Sequence, residues 1–123
     1  MSTRQRMVPD MPERERSLSE QYRVAANAWV DVDAAARRLE ELKTTAMEQQ
    51  KNALILEEGP MPDSHAERRV KAAPAWEEYI VAMVNARTEA NRLKVKMEVL
   101  RMQEREMRDR NETIRAEMRL SRG

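Results

Sequence analysis

The sequence has no cysteine, no phenylalanine and a single histidine, and only two of its 123 residues are glycine. Each absence removes a class of protein. Without thiols there is neither a disulfide framework nor a thiolate site, which fits a reducing compartment. One His and no Cys leave too little for a structural zinc site, which is built from those side chains. With Gly59 as the one internal glycine, no Gly-rich phosphate loop can be drawn. Aromatic residues make up 3% of the chain, too few large side chains for a compact core of its own. No apolar run approaches the ~20 residues of a membrane span. The polar, basic start lacks the apolar segment of a secretory signal. At a net charge of +1, no global field draws the chain to nucleic acid or a membrane.

What is present is charge and small or flexible apolar side chains. A chain 37% charged and 41% apolar, rich in Ala, Glu, Arg, Leu and Met, fits long amphipathic helices. Such helices bury a seam and use a second copy to finish burying it. The charge is unevenly spread: residues 1–62 carry 9 basic and 11 acidic side chains, residues 63–123 carry 14 and 11.

Residues 1–16 have mixed charge, two Pro and no apolar period, and read as a flexible tail. Residues 17–123 read as a helical hairpin. Ser17 with Glu20 forms a capping box that opens a helix over 17–58. Its apolar face runs from Leu18, Tyr22, Ala25 and Trp29 to Ala53 and Leu56 in steps of three and four, with a register slip near Ala35. Gly59 and Pro60 stop this helix at a corner over 59–63. Ser64 with Glu67 is a second capping box, opening a short helix over 64–73. Pro74 suits the first turn of a long helix over 74–121.

That last helix carries the strongest pattern. With Trp76 at heptad position a and Tyr79 at d, the seam continues through Met83, Ala86, Ala90, Leu93, Met97, Leu100, Glu104, Met107, Asn111, Ile114, Met118 and Ser121. The unbroken 3.5-residue repeat predicts coiled-coil packing with a left-handed supercoil. The two long helices, about 63 and 72 Å at ~1.5 Å per residue, predict an all-α antiparallel hairpin. A symmetric hairpin sets residue i opposite about residue 132 − i.

Four groups of side chains bear on function. Val81, Val95, Val99 and Met102 form a second apolar stripe on the far side of the last helix. It reads as a protein interface: either two hairpins closing into a four-helix homodimer or a dock for another protein. Arg87, Lys94, Arg101, Arg108, Arg115 and Arg122 occupy successive e positions. In the plain structural reading they meet acids across the seam, Asp31 or Asp33 near Arg101 and Glu20 near Arg115. In the functional reading Arg108, Arg115, Arg119 and Arg122 are candidate phosphate or DNA contacts. Glu104 and Asn111 are polar a positions, expected to set the register by meeting Trp29 and Tyr22 respectively. His65, the scattered serines and the adjacent Glu pairs, whose members point apart on a helix, assemble no catalytic group, so the expectation is a non-enzyme.

The stretch 66–120 is similar to a group of small helical proteins encoded by tailed bacteriophages, often among early genes for recombination and replication. The matching features are Pro74, Trp76 and Tyr79 opening the last helix, then "EANRLKVKME", then the closing "RAEMRL". The resemblance implies a setting in the cytoplasm of a bacterial host and in DNA metabolism, with no active site. The expectation is therefore an accessory binding protein that self-associates as a dimer or higher oligomer and acts on a protein, with nucleic acid as a second candidate partner. It uses no cofactor, metal, membrane or small-molecule substrate. An inhibitor or assembly factor of a host protein is the alternative, and a scaffold-like subunit a weaker one.

Overall fold

The structure, a computed structural model, describes residues 17–122; the segment read as a tail, 1–16, lies outside the described residues. Four helices follow one another: α1 Leu18–Glu41, α2 Lys43–Glu58, α3 Asp63–Ala72 and α4 Pro74–Arg122. No strand occurs among the described residues. α4 is the long helix, and it pairs with α1. The described residues divide into two compact units, 30–92 and 17–29 with 93–122.

In the unit Val30–Arg92, Met47, Val70 and Trp76 form the buried cluster, with Ala46, Tyr79 and Ile80 packed against it. Trp76 and Tyr79 are stacked, their ring centroids 5.6 Å apart. Ala36, Ala66 and Ala90 are fully buried, so small side chains bring the backbones close where bulk would hold them apart. α1 and α4 run antiparallel here: Tyr79 reaches back to Leu39, and Arg87, further along α4, reaches Asp33.

The helix expected over 17–58 is interrupted at Leu42, whose backbone (φ −88°, ψ 1°) leaves the helical range. The cause is on the facing helix. The Tyr79 hydroxyl donates to the Leu39 carbonyl, the group an unbroken helix would offer to the N–H of Lys43. A side chain inserted into the ladder in this way kinks a helix. The expected slip near Ala35 falls inside an unbroken stretch of α1.

The corner begins at Gly59, with φ 96° and ψ 174°, a region open essentially to glycine alone. Its N–H still bonds to the Ile55 carbonyl, closing α2. α3 starts one residue before the expected Ser64. Pro62 is the cap, its carbonyl accepting from His65 and Ala66, and no side chain caps this end. Asp63 thereby enters the first turn, where its carboxylate suits the helix N-terminus, and Lys51 of α2 holds it at 2.7 Å. Arg69 ties α3 to Glu58 at 2.6 Å. The Ser17 cap of α1 does form, with the Glu20 N–H donating to the hydroxyl at 3.2 Å.

The hairpin register differs from the symmetric expectation. Tyr22 meets Arg101, Asp33 meets Arg87 and Leu39 meets Tyr79, so partners on α4 come nine, twelve and fourteen residues earlier than 132 − i places them. The symmetric estimate treated 59–73 as a cap between equal arms. Instead α3 lies against α2 through the Lys51 and Arg69 ion pairs.

Candidate functional site

The heptad pattern and the burial of α4 agree up to Glu104 and then separate. Trp76, Ala90 and Leu100 are buried, and the other a and d positions as far as Glu104 are half-buried. From Arg105 to Arg122 every side chain is exposed, including Met107, Ile114 and Met118, expected in the seam. The reason lies in α1. It begins at Leu18, and Tyr22 in its second turn already sits at Arg101. No further turn of α1 remains to cover α4 beyond Glu104.

The basic e row divides in the same way. Arg87 donates to Glu40 through two nitrogens at 2.7 and 2.8 Å and to Asp33 at 2.7 Å. A forked guanidinium held on two carboxylates is the strong form of such a contact. These hydrogen bonds to Glu40 and Asp33 hold Arg87 firmly protonated, and Arg87 holds the Glu40 carboxyl below its usual range. Lys51 is pushed up likewise, first by Asp63 and then by Glu48. Asp33, itself buried, also accepts from Arg37 at 3.0 Å. Acids do meet this row across the seam, but at other positions than expected: Asp33 binds Arg87 rather than Arg101, and Glu20 lies 3.9 Å from Arg23 of its own helix rather than by Arg115. Glu40 escaped notice, although its spacing of seven from Asp33 matches the spacing of the basic row.

Arg101 lies over the Tyr22 ring, 5.2 Å from its centroid, and donates to the hydroxyl. Such a contact is favourable even at an exposed site. Tyr22 thus meets Arg101, ten residues and ~15 Å along the helix from the Asn111 expected beside it. Asn111 is exposed, Trp29 half-buried, and Glu104 pairs with Arg108 one turn on, at 3.1 Å. The four side chains do not form the two register-setting pairs.

Arg108 is therefore engaged within its own helix. Arg115, Arg119 and Arg122 are exposed, make no ion pair among the described residues, and gather with Met118 along one open surface strip. Of the four candidate phosphate contacts, the fold brings these three together.

The second stripe is uncovered. Val95, Val99 and Met102 are 58%, 45% and 56% exposed in one unit. Val81 is exposed in the other, beside Val84, an outer apolar position that the sequence reading passed over.

A shallow groove by the corner is lined by Ala53, Leu54, Val70, Ala73 and Ala75 with Arg69 and Glu57 at its edge. Its one ion pair, Arg69 to Glu58, is structural. Among the described residues no three His, Asp or Glu side chains are grouped to hold a metal ion, and no helix is long and apolar enough to cross a membrane. No protein-family model matches the chain, and neither a curated protein nor a solved structure matches it.

Proposed function

We propose that the chain is a non-enzymatic binding protein, an accessory factor of the kind its likeness to small phage helical proteins implies, acting through the outer surface of α4. The observation that carries this reading is the regular exposed apolar text of that helix in the unit that includes 93–122. Val95, Val99 and Met102 lie on one face, and Met107, Ile114 and Met118 on another. A stripe of exposed apolar side chains repeated along a helix marks an interaction surface. A second copy covers the Val95, Val99 and Met102 face, which is flanked by charges of both signs, Arg92 and Arg105 with Glu98 and Glu106. The other face is left for a different protein.

Sedimentation of the full chain tests this. The wild type is expected at about twice 14.4 kDa and the Val95→Glu, Val99→Glu variant at 14.4 kDa. A wild type that sediments at 14.4 kDa at high concentration would remove the self-association.

A second reading rests on the unpaired strip of Arg115, Arg119 and Arg122, which offers three cations to a phosphate backbone. It predicts binding to duplex DNA that weakens steeply with salt and is lost when the three arginines are changed to Glu. Absence of DNA binding at low salt removes it.

A further inference from the structure

We infer that the open end of α4 is a dock for one acidic amphipathic helix of another protein, which lies along Met107, Ile114 and Met118 and sets carboxylates against Arg108, Arg115 and Arg122. The proposal rests on the reading of this face as an interface and adds the chemistry of what covers it.

The unit Val30–Arg92 contains the precedent. There the same heptad text is covered by a helix that places Asp33 and Glu40, seven residues apart, on Arg87 of the e row. The row continues at the same spacing through Arg108, Arg115 and Arg122, beside apolar d and a positions about half exposed. The acids of this stretch lie mostly elsewhere: Glu106, Asp109 and Glu112 occupy the outer c, f and b positions and Glu117 flanks the stripe at g, while Glu104, at the preceding a position, holds Arg108 in an exposed pair that a partner's carboxylate would share or replace. A helix with apolar residues at steps of three and four and an acid every seventh residue repeats what Asp33 and Glu40 do.

The other occupants match this face less completely. A second copy laid antiparallel on this stripe sets Arg115 and its neighbours against their own row. Laid parallel, it sets Arg110 at g against Arg115 at e and Glu117 at g against Arg122 at e, one repulsion and one attraction, so it gains nothing from charge where an acidic helix gains at every arginine. Flanking charges of this kind decide partner and orientation in helix pairs. The chain's first sixteen residues carry four Arg against three acids, so their sequence does not supply the charge. A nucleic acid answers the arginines but leaves three apolar side chains between them with nothing apolar to bury against.

The test titrates the full-length protein with two synthetic 21-residue helical peptides. Both carry Leu at a and d; one has Glu at e and g, the other Lys. Like charges keep each peptide from pairing with itself. The Glu peptide is expected to bind at least tenfold more tightly than the Lys peptide, and more weakly as salt rises. Arg108→Glu, Arg115→Glu and Arg122→Glu together should reverse that preference. Ile114→Asp should weaken both peptides at least tenfold with the circular dichroism unchanged, and Ile114→Ala should weaken them less. Equal affinity for the two peptides, binding of neither, or a preference that survives the reversal overturns the proposal. So does self-association that Ile114→Asp abolishes, since a second copy then occupies the face, or duplex DNA binding that the reversal abolishes while peptide binding is absent. Loss of the Val95 and Val99 assembly alone leaves this result readable, so the two readings fail separately.

Discussion

The unit Val30–Arg92 and the stretch 105–122 of α4 are written in the same heptad text, yet one is closed and the other open. In the first, Trp76 is buried, Tyr79 caps a carbonyl of the facing helix, and Arg87 is clasped by two carboxylates. In the second, Ile114 and Met118 stand in water and Arg115 has no acid among the described residues. The contrast teaches that a seam is a property of two helices. A repeat on one of them records readiness to pack, and the facing chain decides where packing stops.

Removing a closed-side residue should have the largest effect. Trp76→Ala takes the bulk out of the Met47 and Val70 cluster and should cost about 3–5 kcal/mol in thermal or urea unfolding. Tyr79→Phe keeps the ring on Trp76 and deletes the bond to Leu39, so it should cost about 0.5–1.5 kcal/mol. If the inserted hydroxyl is what breaks the helix, the variant should also protect the amide of Lys43 better against hydrogen exchange.

A smaller, pH-dependent effect belongs to Glu40. Its carboxyl is held low by hydrogen bonds from Arg87, so its contribution is present above the ordinary value of 4.5 and fades as pH falls through the depressed one. Glu40→Gln should melt earlier than wild type at pH 7, and the gap should narrow by pH 3. A gap that is constant with pH would detach Glu40 from the acid response. Smallest of all, Ile114→Asp with Met118→Asp should shift stability by no more than about 0.5 kcal/mol, as surface changes do. A large loss there would mean the open end is closed.

Much of the fold was legible because helix stops and starts are local. Gly59, Pro60 and Pro74 mark their boundaries by backbone geometry alone, and Ser17 caps by a bond within one turn. The buried half of the seam was legible from periodicity. What was not legible depends on distant residues. The break at Leu42 comes from Tyr79, which has no signature near position 42. Asp63, in the first turn of α3, is held by Lys51 twelve residues away, a contact with no local signature. The register depends on α3 lying against α2, which no count of helix lengths reveals. For the same reason the side chains proposed to meet Asn111 and Glu104 go elsewhere, and the arginines divide into engaged and unengaged members only when α1 is seen to begin at Leu18.

The central claim is that the seam is closed at its start and open at its end, and methionine oxidation reads both places in one experiment. With dilute peroxide and mass spectrometry, exposed thioethers oxidise ahead of buried ones. Met47, 8% exposed, should oxidise slowly, and Met118, 52% exposed, several times faster. Equal rates at the two, or protection of Met118 in the protein alone, would contradict the account.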